Sequence, residues 1–268
     1  METQSMSGLQ PWGGGKSSTK LFLDIVKVKK EKFFICYSSK PKQSKVAFTL
    51  AEVLITLGII GIVAAMTLPV LIQNNKNKEV EAKLQKIYSV MNQAILMSEI
   101  DNGPKEYWPL SCDGETECKT YYNKYFIPYI KTIKTIDFSS LAQYSVAIYF
   151  TDGSVLVGVR GYDYFYYPNG KNFNKDNFGR YDDEGNSYRD SNGIESFSFG
   201  FYPGWQEIKF HYKKGFEPYK KGLSQITKET LTSGIYGCNS SAQVKAYCTS
   251  LIQLNGWKIP EDYPFKVK

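Results

Sequence analysis

Residues 47–72, AFTLAEVLITLGIIGIVAAMTLPVLI, are almost wholly apolar, yet one carboxylate, Glu52, stands near the start of the run. Phe48 to Ile72 is 25 residues, and at about 1.5 Å per residue a helix over them reaches roughly 37 Å. A bilayer's hydrocarbon core is about 30 Å thick, so the run is long enough to cross it. An uncompensated carboxylate near a bilayer is costly, which means Glu52 asks for a partner and a purpose.

The flanking residues narrow the reading. Residues 1–46 hold nine lysines, no arginine and three acids (Glu2, Asp24, Glu31), a net of +6. That excess predicts a single-pass precursor with a cytoplasmic N-terminus and an exported C-terminal part. The last of the lysines, Lys45, stands two residues before Ala47, so the order is basic, small, Phe48-Thr49-Leu50-x-Glu52, then the apolar run. A plain membrane anchor needs neither Glu52 nor the Phe-Thr-Leu lead-in. A secretory signal would be cut after the apolar region, at Val63-Ala64-Ala65, and would then carry Glu52 inside that region. The patches at 21–26 and 33–37 are too short to span a membrane.

These residues resemble the type IV pilin and type II secretion pseudopilin family, over about 25 of the 268 residues. The resemblance implies cleavage between Ala47 and Phe48 by a prepilin peptidase, followed by N-methylation of the new terminal amine. It makes Glu52 the acid that pairs with the amine of Phe48 in a neighbouring subunit, and Pro69 the proline that kinks the helix. It also implies other pilin subunits and an assembly platform in the inner membrane as partners. Ala47 stands where the family usually has Gly, and the 47-residue leader is long, which a later initiation would explain.

The division expected is a cleaved leader at 1–47, a membrane or filament-core helix at 48–72, its amphipathic continuation at 73–100 and a globular α+β head at 101–268. In the continuation, Val80, Leu84, Ile87, Met91 and Ala94 or Ile95 recur at helical spacing, and Asn102-Gly103-Pro104 ends it. In pilin-like folds a small antiparallel sheet wraps this striped half. Residues 105–140 read as irregular or helical, with a short helix over Thr120–Ile130 ending near Pro128. Two hairpins follow: 143–150 with 154–160 around Thr151-Asp152-Gly153, and 195–201 with 206–212 through Pro203-Gly204, about four strands in all. Asn239-Ser240-Ser241 would cap a last helix carrying Val244, Tyr247, Cys248, Leu251, Ile252 and Leu254.

Cysteine usage agrees with export. Cys36 lies in the leader, leaving Cys112, Cys118, Cys238 and Cys248, an even set that suggests two disulfides. Three connectivities are open, and the local pairs 112–118 and 238–248, which close short loops, are preferred. Between the hairpins, Asp176, Asp182, Asp183, Glu184, Asn186, Asp190 and Asn192 offer oxygen ligands suited to Ca²⁺, although the EF-hand glycine position counted from Asp182 is Ser187. A solvated, turn-rich loop is the simpler reading of that segment, with no cofactor.

No catalytic constellation is visible, and the single histidine, His211, reads as an ordinary sheet residue, so the chain is not expected to be an enzyme. The net charge of +7 falls to about +1 without the leader, which gives nucleic-acid binding little support beyond a local patch. The leading expectation is a structural subunit of a type II secretion pseudopilus or a type IV pilus. The alternatives are a minor tip pilin whose head binds a surface, sugar or DNA, and a secreted or tethered binding module with no filament role. Exposed, clustered tyrosines in 162–181 would favour the tip pilin.

Overall fold

A single helix is the longest element among the described residues. In a computed structural model that describes residues 49–140, 143–179 and 191–268, α1 runs without a break over Leu50–Asn102, through Pro69. Its 53 residues extend roughly 80 Å. Its two halves differ in surroundings. The large apolar side chains of the first half lie open, Leu50 at 78% and Met66 at 73% exposure. The second half buries Val80, Leu84, Ile87, Met91, Ala94, Ile95 and Ser98, one stripe at helical spacing. The helix is long and apolar enough to cross a membrane, and none of its most apolar window is buried.

The stripe is covered by a six-stranded antiparallel sheet in sequential order. The strands are β1 (Lys134–Ser140), β2 (Gln143–Tyr149), β3 (Val155–Val159), β4 (Asp163–Tyr167), β5 (Phe197–Gly200) and β6 (Glu217–Pro218). Together with α1 and two disulfides they make an α+β fold. Alternation sorts the strand residues between two faces. Val146, Ile148, Leu156, Tyr164, Tyr166, Phe197 and Phe199 join the α1 stripe in one core. Ala147, Val155, Val157, Val159 and Tyr167 form a second core with Phe178, closed by Phe138 and Phe173. The sheet is therefore covered on both faces, by α1 on one and by the segment after β4 on the other.

Several elements differ from expectation. The sheet has six strands rather than four, because β1 and β4 pair where irregular chain and loop were expected. Residues 206–212 form turns rather than a strand. Ile208 N–H donates to Trp205 O, and His211 N–H to Ile208 O, closing tight turns where a strand would extend. The strand that pairs with β5 is the two-residue β6, whose Pro218 stands at the sheet edge where no further amide donor is needed. His211 accordingly lies in a turn, not in the sheet.

The short helix α2 begins earlier than expected, at Glu115, and ends at Tyr125; Pro128 belongs to a separate 3₁₀ turn, Ile127–Tyr129. Glu115 and Glu117 in its first turn suit the positive end of the helix dipole. Tyr122 of α2 packs against β3 where Gly158 leaves room: a Cβ there would meet the Tyr122 hydroxyl at 2.2 Å. After α3 (Lys228–Thr232), the final helix α4 spans only Cys248–Leu254. Asn239 does not cap it. Its Oδ1 accepts the Ser241 N–H and its Nδ2 donates to Thr232 O, and the left-handed backbone at Lys245 (φ 53°) interrupts any earlier helical start.

Candidate functional site

Of the residues singled out by the N-terminal motif, Ala47 and Phe48 lie outside the described residues. Glu52 is in the first turn of α1, where the unpaired amides of a helix start favour a negative charge by about 0.3–1 kcal/mol. Seventeen residues further along, Pro69 lies inside the helix, in the open apolar half. The motif is thus presented on one continuous helix whose large apolar side chains lie exposed over its first half.

That rod is fixed to the head by polar contacts placed along its second half. At the base of the head, Gln73 Nε2 donates to Val267 O at 3.2 Å. Glu81, almost buried, accepts the Ile259 N–H at 2.9 Å and the Lys258 ammonium at 2.9 Å, which clamps the C-terminal tail. Lys83 donates to Pro168 O, and Lys86 pairs with Asp152 at 2.7 Å in the β2–β3 turn. The Asp152 carboxyl is held at about 2: burial works to raise it, but the Lys86 and Ser154 hydrogen bonds outweigh that. Tyr88 donates to Glu217, and burial followed by that carboxylate pushes its hydroxyl up to about 12.

Glu217 leads into a network that the sequence did not suggest. Lys220, only 4% exposed, lies 3.6 Å from Glu217, bonds the Gln253 carboxamide of α4 and faces the Phe210 ring at 4.5 Å. Burial lowers this lysine to about 8, with Glu217 opposing. Its backbone N–H donates to His211 Nε2 at 3.1 Å, so the neutral ring carries its proton on Nδ1, for which no partner occurs among the described residues. Burial first, then Lys220, Lys214 and Lys221, hold His211 down at about 3. The doubled lysines interleaved with aromatics in KFHYKKGFEPYKK were the signal for this cluster.

The cysteines join as Cys112–Cys118 and Cys238–Cys248. The first ties the chain ahead of α2 to that helix, and the second ties the turn after α3 to the first residue of α4. The proposed calcium ligands Asp182, Asp183, Glu184, Asn186 and Asp190 lie outside the described residues. Of the other two, Asp176 pairs with Lys175, and Asn192 is fully buried, bonded to Val244 O, Ser196 and Ser198. No group of three or more metal-ligating side chains occurs among the described residues. Of the tyrosines in 162–181, Tyr164, Tyr166 and Tyr167 are buried in β4, Tyr162 is half-buried against Tyr202 and Trp205, and Tyr181 lies outside the described residues.

The comparisons with known proteins bear on the head rather than on the motif. No curated protein and no solved structure matches the chain. A family model matches residues 70–267, from the end of the apolar run to the penultimate residue, and the chain therefore belongs to the family of unknown function DUF6613.

Proposed function

We propose that the protein is a structural subunit of a type II secretion pseudopilus or a type IV pilus. A prepilin peptidase cuts the precursor between Ala47 and Phe48, and α1 then passes from the inner membrane into the core of a filament. The observation that carries this reading is the continuity of α1. One unbroken helix joins an open apolar half, with Glu52 in its first turn, to a half buried under the sheet. In a plain anchor, a flexible joint between span and head would serve equally well. An uninterrupted rod transmits the position of each head to the packing of the apolar halves.

The chemistry is assembly rather than catalysis. Before assembly the apolar side chains of Leu50–Ile72 are covered by lipid; in the filament they are covered by one another. Within that low-dielectric core an unpaired carboxylate would be costly, and the amine of an adjacent Phe48 neutralises Glu52. The head stays outside the membrane on the exported side, where its disulfides persist.

The test is Glu52→Ala. The variant is expected to be made, folded and cleaved at wild-type levels but to be missing from filaments sheared from the cell surface or isolated from the envelope. Incorporation at the wild-type level would overturn the role of Glu52 and with it the reading.

A further inference from the structure

Five of the thirteen residues from Lys209 to Lys221 are lysines, and Glu217 is the single acid among them. With about +1 on the whole chain beyond the leader, the +4 of this window, or +3 once the exposed Glu207 just before it is counted, is a concentration of positive charge. Lys220 is buried and pairs with Glu217. Lys209, Lys213, Lys214 and Lys221 are exposed, and none pairs with a carboxylate among the described residues. Lys214 and Lys221 are linked through ring contacts by way of the buried His211 and Tyr202. Lys214 lies 3.7 Å and Lys220 4.5 Å from the Phe210 ring, Phe210 meets His211 at 5.3 Å, His211 meets Tyr202 at 5.2 Å, and Lys221 lies 5.4 Å from Tyr202. Lys213 lies 5.5 Å from the Tyr212 ring, on backbone held at φ 58°, a left-handed conformation rare for lysine. Burial first, and then Lys220, Lys214 and Lys221, hold His211 low.

The location restricts the partner. Trp205 Nε1 donates to Leu110 O, and Phe216 N–H donates to Asn92 Oδ1, so the loop sits beside and beyond the last turns of α1. Ile60 to Asn92 along the helix is roughly 48 Å, well past the reach of headgroups around the apolar half. With the apolar half in a bilayer, that distance sets the loop apart from a lipid surface, and the ligand its charge fits is a soluble polyanion. Trp205, Phe210 and Tyr212 are half-buried; Lys214 and Lys220 cover the Phe210 ring and Trp205 packs on Tyr162 and Tyr202, which leaves Tyr212 as the ring for a base to stack on.

We propose that the loop 205–221 binds single-stranded nucleic acid, the lysines contacting phosphates and the Tyr212 ring contacting a base. This stands independently of filament assembly. The experiment uses the full chain in phosphatidylcholine nanodiscs and a fluorescein-labelled 30-nucleotide single-stranded DNA of mixed sequence, with Kd measured by anisotropy between 50 and 200 mM NaCl. The same protein lacking residues 1–47 is measured alongside, because the nine lysines of residues 1–46 otherwise bind in parallel with the loop. Replacing Lys209, Lys213, Lys214 and Lys221 together by Gln is expected to weaken binding by about tenfold or more and to lower the salt slope by about 3. Tyr212→Ala is expected to weaken it about fivefold while leaving the slope unchanged. Photocrosslinks from the unmodified protein should fall within 205–221, which decides the matter even if the quadruple variant does not fold. Wild-type affinity and slope in a folded quadruple variant, or crosslinks confined elsewhere, would overturn the proposal. So would equal affinity for heparin together with no effect of Tyr212→Ala, which would point to an acidic polysaccharide instead.

Discussion

The side chain of Asn92, on the buried half of α1, pairs with both backbone groups of Phe216: Oδ1 accepts its N–H at 3.0 Å and Nδ2 donates to its C=O at 2.8 Å. The carboxamide acts as a one-residue strand, holding the chain that enters β6 against the helix. Gly215 is required beside it, since a Cβ there would meet Asn92 Oδ1 at 2.0 Å. Asn92→Ala leaves both backbone groups unpaired and is expected to cost about 2–3 kcal/mol. Asn92→Asp keeps the acceptor alone and should fall between the two. Denaturant unfolding of the three proteins checks this, and an alanine variant within about 0.5 kcal/mol of wild type would contradict it.

His211 makes the head acid-sensitive. Its pKa is about 3 in the fold against about 6.5 unfolded. Between those values the unfolded chain binds the extra proton, so stability rises with pH. The contribution is complete above about 6.5 and is lost as pH falls toward 3, at about 1.4 kcal/mol per unit. His211→Gln retains an acceptor for the Lys220 N–H and removes the titration. The stability difference between wild type and this variant should change with pH between 6 and 4 at roughly that slope. A constant difference would show that His211 is not buried in its neutral form.

Asp152 titrates in the opposite sense to a raised group. Its folded pKa of about 2 lies below the ordinary 3.8. Its contribution is therefore present above about 3.8 and is lost as pH falls through about 2. The Lys86–Asp152 pair is partly exposed, with 57% of the lysine side chain open, so Asp152→Asn should cost about 0.2–1 kcal/mol at neutral pH. Melting curves of the two proteins should converge toward pH 2. Persistence of the full difference there would refute the ion pair as its source.

The sequence made some of this legible and hid the rest for physical reasons. The α1 stripe from Val80 to Ile95 and the Asp152-Gly153 hairpin were readable, since each is a local pattern that one side of the chain must bury. β4 was hidden because Asp163–Tyr167 sits within a Gly- and Asn-rich stretch and becomes a strand through its partners β3 and β5. Residues 206–212 alternate like a strand, but the turns anchored at Trp205 and Ile208 override the pattern. The network of His211, Glu217 and Lys220 depends on contacts with Tyr88 and Gln253, far apart in the chain. No spacing rule reaches that far.

The Cys238–Cys248 bridge spans a sequence separation of 10 and encloses the turns that replaced the first half of the expected helix. Replacing both cysteines by Ser is expected to cost about 2–3 kcal/mol, the closure entropy of a loop of that length. The loss should appear as equal destabilisation on reduction of the wild type once the Cys112–Cys118 bridge is removed in both proteins. A stability unaffected by the double replacement would mean that the region is held by Leu231, Tyr247 and Leu251 alone.

The central claim is that α1 begins as a membrane span and ends as a filament core, and that claim rests on the cut before Phe48. Intact mass and N-terminal peptide mass spectrometry of the mature protein from its native envelope test it most directly. The account predicts a chain starting at N-methylated Phe48, lacking the leader and Cys36. A mature protein starting at Met66, or one retaining the residues before Phe48 while its partners assemble, would contradict it.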